Sequence, residues 1–85
     1  MESRVALIGI VVSEADAVEQ MNSILHQYAP YIIGRMGIPY KEAGVSLISV
    51  ALDAPQDIIS ALSGKLGAIP GISTKTITPK IAGRT

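Results

Sequence analysis

Cysteine, phenylalanine and tryptophan are absent from this chain, tyrosine occurs three times and histidine once. Without cysteine there is no disulfide, no thiolate metal site and no cysteine nucleophile, and a reducing, cytoplasmic compartment is expected. One histidine with no carboxylate cluster does not make a metal centre, so neither a metal nor another cofactor is expected. His26 reads as a helix-surface residue whose partial positive charge suits the negative end of the helix dipole. Seven basic and seven acidic residues cancel. Phosphate contacts demand a basic excess or stripe, so no direct nucleic-acid partner is expected. The apolar run Val5–Val12 is far shorter than the roughly twenty residues of a membrane-spanning helix, so no membrane partner is expected either.

The stretch "MESRVALIGIVVSEADA" imitates a secretory signal, with a basic residue, an apolar run and small residues at Ala15 and Ala17. Glu2, Glu14 and Asp16 stand where signals avoid acids, and cleavage would remove the most strand-like segment of a small domain. The segment therefore reads as part of the fold. At 85 residues the chain is expected to form one domain over residues 1–80, with 81–85 as a flexible tail. With so few aromatics, its core volume has to come from Ile, Leu, Val, Ala and Met.

What is present is a hidden repeat. At an offset of forty positions the halves align without a gap: Val5, Leu7 and Ile8 fall on Val45, Leu47 and Ile48, Pro30 on Pro70, Ile32 on Ile72, and Pro39 on Pro79. Arg35 falls on Lys75. Each half reads as strand, helix, strand. Val5–Val12 and Val45–Leu52 are aliphatic, β-branched runs too short for helices. "SEAD" offers Ser13 as a helix N-cap, and "DAPQ" offers Asp53 with Pro55 in the first turn. Ala17, Val18, Met21, Ile24, Leu25 and Tyr28 recur at helical spacing, as do Ile58, Ala61, Leu62 and Leu66. Pro30 ends the first helix and Gly67 the second. Pro70-Gly71 suits a type II turn, and Ile72–Thr78 follows as the last strand.

Two such halves in tandem predict an α+β, ferredoxin-like βαββαβ sandwich: a four-stranded antiparallel sheet with two helices on one face. The first and third strands are central. The second and third, Tyr31–Ile38 and Val45–Leu52, form a hairpin whose connection runs from Pro39 to Gly44. Gly34 and Gly37 suit a bulge in an edge strand, and Gly44 a positive φ.

Most constellations that carry chemistry are missing. "GKLG", Gly64–Gly67, lacks the preceding strand and the following Ser/Thr of a phosphate loop, and the flanks of an RNA clamp. The central strands hold no aromatic on which a base could stack. No Ser-His-acid set or converging carboxylate pair stands out, so catalytic residues are not assigned and an enzyme is not expected. The hairpin concentrates polar reach in Arg35, Tyr40, Lys41 and Glu42, and the planar fork of Arg35 suits a carboxylate or phosphate, or equally a pairing with Glu42.

One pattern points beyond the monomer. A two-layer domain needs a single apolar sheet face, yet the first and third strands are apolar on both. Whichever face the helices cover, the other shows about five large aliphatic side chains, a patch uncommon on monomers. A homo-oligomer, dimer or tetramer, joined through the sheet face is expected.

The segments "ALIGIVV", "IIGRMGIPYKEAGVSLISVAL" and "ISALSGKLGAIPGISTKT" resemble the small iron-only hydrogenase system regulators, over roughly Arg4 to Lys80. The resemblance implies a ferredoxin-like fold akin to ACT domains and to the C-terminal domain of nickel-responsive repressors. It also implies an oligomeric regulatory module that senses a small effector, near Ser13 or the Arg35, Tyr40 and Lys41 hairpin of an adjacent subunit, or regulates a hydrogenase or anaerobic system through a partner protein. The chain lacks the histidines and cysteine of a nickel site, and "VSEAD" replaces the glycine common in the first strand–helix turn of amino-acid-binding ACT domains. Having no DNA-binding segment, it would influence transcription only through a partner. The alternative is an interaction or assembly factor with no small-molecule ligand.

Overall fold

In a computed structural model, which describes residues 2–79, the chain runs β1 (Arg4–Val12), α1 (Ala17–Gln27), a 3₁₀ turn (Ala29–Tyr31), β2 (Ile32–Tyr40), β3 (Val45–Ala54), α2 (Gln56–Gly67) and β4 (Ile72–Ile77). The expected tail, residues 81–85, lies outside the described residues. The strands form one antiparallel sheet in the order β2-β3-β1-β4. This is the ferredoxin-like arrangement, with the first and third strands central. The forty-residue offset reappears in the element bounds, and Gly9 pairs directly with Ser49, its own repeat equivalent. The internal pseudo-twofold axis therefore passes through that pair.

Alternation along the strands assigns the faces. Ala6, Ile8, Ile10 and Val12 of β1 and Ile48, Val50, Leu52 and Ala54 of β3 are buried beneath the helices. α1 covers them with Ala17, Met21, Leu25 and Tyr28, and α2 with Ile59, Leu62 and Leu66. Ile59 takes the core position that helical spacing gives to Ala61, which is exposed. No polar or charged residue is buried among those described. Apolar burial accordingly drives the packing of the two layers. Lys65 adds a link between the helices, its ammonium lying 5.1 Å from the centre of the Tyr28 ring.

Both helix starts differ from the capping pattern. α1 begins at Ala17, with Asp16 at the N-cap and no side-chain cap bond. Ser13 instead donates from its N–H (2.8 Å) and its Oγ (3.1 Å) to the Gly71 carbonyl. The hydroxyl thus ties the β1–α1 turn to the α2–β4 turn, a tertiary demand that local spacing cannot reveal. Asp53 lies inside β3, which runs on to Ala54, and Pro55 takes the N-cap place of α2. The expected turn glycines do carry positive φ, +69° at Gly44 and +87° at Gly71.

Candidate functional site

The hairpin residues take their positions from a single irregularity. Ile32 pairs with Leu52, but the next pair is Gly34 with Ala51, leaving Ile33 as a β-bulge. A bulge shifts every later residue by one and so exchanges the faces. In the sequence repeat Arg35 matches Lys75; across the sheet, Met36 pairs with Ser49 where Lys75 pairs with Gly9. Arg35 consequently lies on the helix side, paired with Val50, and its guanidinium donates to Asn22 Oδ1 of α1 at 3.1 Å. It pins the edge strand to the first helix.

Tyr40 and Lys41 stand at the other end of the hairpin. Both line a cleft of about 330 Å³ between the hairpin and the start of α1, together with Glu14, Val18, Pro39 and Ser46. Tyr40 donates its hydroxyl proton to Glu42 Oε1 at 2.8 Å. Of the four residues singled out for ligand binding, the structure brings these two together in one cleft. Arg35 is held at Asn22, and Ser13 is engaged with Gly71.

A second concavity lies on the sheet face turned away from the helices. Val5, Leu7, Val11, Met36, Ile38, Tyr40, Leu47 and Ile77 share that face by register, and each is between 40% and 65% exposed. Ile33, at the bulge, is the remaining large exposed hydrophobic among the described residues. In the middle of the patch, where Gly9 meets Ser49, no large side chain rises. The result is an open depression of about 470 Å³, walled by Val11, Leu47, Met36 and Ile38 and bordered by Ser73 and Lys75. Sequence reasoning found the patch but missed this hollow. The signal was the superposition of Gly9 on Ser49 in the repeat, two small residues amid large ones.

A third groove, about 420 Å³, runs between α2 and β4 and is lined by Gln56, Ser60, Ser63, Thr76 and Thr78 with Ile59. Ser63 and Thr76 share a hydrogen bond there. Among the described residues no three His, Cys, Asp or Glu side chains gather as a metal site would require. No helix among them is long and apolar enough to cross a membrane.

Residues 4–76 match the family model "TM1266-like: Iron-only hydrogenase system regulator, putative". The chain belongs to this family. It is similar to the solved structure of the uncharacterized protein TM1266 from Thermotoga maritima, with 39% identity and a TM-score of 0.89 over 93% of this chain and 100% of that one. The family's description is regulatory rather than catalytic. More distant structures share the fold alone. The C-terminal domain of the MgtC protein from Mycobacterium tuberculosis is 10% identical, with a TM-score of 0.72 over 91% of this chain and 88% of that one. A formyltetrahydrofolate deformylase from Pseudomonas putida KT2440 is 14% identical, with a TM-score of 0.64 over 88% of this chain and 29% of that one. No curated protein matches the chain.

Proposed function

We propose that this protein is an oligomeric, ACT-like regulatory module of an iron-only hydrogenase system. Its subunits join through the open sheet face, and it acts through a partner protein in response to a small effector. Family membership supports the regulatory part. The observation that carries the assembly is the set of eight half-exposed hydrophobic side chains on one face. Burying such a side chain completely is worth roughly 1.5–3 kcal/mol, so covering what remains exposed on eight of them yields roughly 6–12 kcal/mol per subunit and roughly 12–24 kcal/mol for a pair. Association itself costs on the order of 4–15 kcal/mol. The ranges overlap, and a symmetric pair buries any added charge twice, so pairing draws on most of the face and is sensitive to one misplaced charge. A second copy presents a matching face by symmetry, which makes it the natural cover. The Tyr40–Lys41 cleft, which mixes an apolar floor with Lys41 and Glu14, is the protomer's own candidate for the effector.

The test is genetic. In a host with an iron-only hydrogenase, loss of this protein changes hydrogenase expression or activity, and the wild-type chain restores it. Leu47→Asp, which places a charge in the open face, does not restore it. Hydrogenase levels and activity that stay the same after the deletion would refute the regulatory reading.

A further inference from the structure

The hollow at Gly9 and Ser49 has a position that matters. Its floor, Gly9 and Ser49, lies on the internal pseudo-twofold axis, and its walls extend to one side of that pair, over Val11, Leu47, Ile38 and Ser73. A copy applied about a twofold running along the strands brings its own hollow over this one. Gly9 has no side chain and Ser49 a short one, so neither floor can fill the space. Interfaces pack at nearly interior density and hold few voids larger than a water molecule. About 470 Å³ on each side far exceeds that, and it falls within the range of small-molecule sites, about 300–1,000 Å³. Lys75 is the one charged residue bordering the hollow, and Ser49 and Ser73 add hydroxyls. Lys75 is exposed on the edge strand β4, so its ammonium can stand at the rim of the hollow, where it would attract an anion.

We propose that the paired Gly9–Ser49 hollows form a chamber that binds a short- to medium-chain carboxylate, its hydrocarbon over Gly9 and Ser49 and its head group beside Lys75. The proposal rests on the sheet-to-sheet pairing proposed above. The site is incomplete in one protomer, because the second copy supplies the roof. Occupancy and pairing are then linked, so the carboxylate acts on the oligomer as a whole.

The test combines native mass spectrometry, which reads pairing and bound ligand, with thermal unfolding in octanoate, its methyl ester and 1-octanol. The expected result is a wild-type dimer that retains octanoate and unfolds several degrees higher with it than with the uncharged analogues. Lys75→Met keeps the dimer and weakens octanoate binding at least about tenfold, with less than about a twofold change for octanol. Ser49→Leu fills the floor and loses both ligands while still pairing. Gly9→Ala is a milder floor variant whose added Cβ meets nothing closer than the Lys75 carbonyl oxygen at 3.9 Å, and it weakens both ligands. A wild-type dimer indifferent to octanoate would overturn the chamber and leave the pairing intact. So would a dimer lost in both floor variants, which would mean that the partner's side chains fill the hollow. A monomeric wild-type protein would remove the pairing and the chamber with it.

Discussion

Gly71 meets two requirements at one position. Its φ is +87°, and a Cβ placed there would lie 2.9 Å from both Cβ and Cγ of Glu14. Gly44 has a similar φ of +69° but open space around it. A side chain held at positive φ costs about 1–2 kcal/mol. The crowding at Glu14 adds to this only at Gly71, for a total of about 2–3 kcal/mol. Gly71→Ala should therefore lower the unfolding midpoint by roughly 10 °C or more, and Gly44→Ala by about half as much. Equal losses in a thermal melt would show that Glu14 does not crowd the turn. Ser13→Ala removes only the hydroxyl bond to Gly71 and keeps the backbone one, so its cost at this exposed site stays at or below about 1 kcal/mol.

Among the elements, the edge strand β2 is where local pattern and structure part. Its bulge at Ile33 turns Arg35 toward Asn22 and gives Met36 to the open face. A double-mutant cycle on Arg35→Ala and Asn22→Ala should give a coupling of about 0.5–1 kcal/mol, the size of one exposed hydrogen bond. Zero coupling would contradict the pin. Deleting Ile33 removes the unpaired residue and leaves every later pair in register, so the variant should fold with the Arg35–Asn22 coupling intact. The strand and helix pattern was legible because the repeat, the prolines and the aliphatic runs act locally. The α1 face was read residue by residue, and the β1 and β3 faces followed from alternation. The helix starts were not, since Ser13 answers to Gly71, 58 residues away, and β3 extends through Asp53 by pairing with β1. Nor was the grouping of Arg35 with Tyr40 and Lys41. Chain proximity suggested it, but alternation over the five positions from Arg35 to Tyr40 puts their side chains on opposite faces of β2. The hollow was half legible, because the repeat set Gly9 on Ser49 but only pairing across the sheet brought them together.

At the scale of the whole molecule the two faces of the sheet carry different instructions. One is filled by the helices with a core of aliphatic side chains and no buried polar residue among those described. The other carries eight half-exposed hydrophobics around a central hollow. Because those eight are already half exposed in the folded protomer, a charge among them should spare the fold and disrupt assembly. Leu47→Asp is expected to keep its circular dichroism spectrum and lose its partner. Sedimentation equilibrium at micromolar concentration, on the wild-type chain and on Leu47→Asp, measures this directly. The account predicts a wild-type particle of at least twice the 8.9 kDa chain mass and a folded Leu47→Asp variant at the mass of a single chain. A stable wild-type particle at the single-chain mass would contradict it.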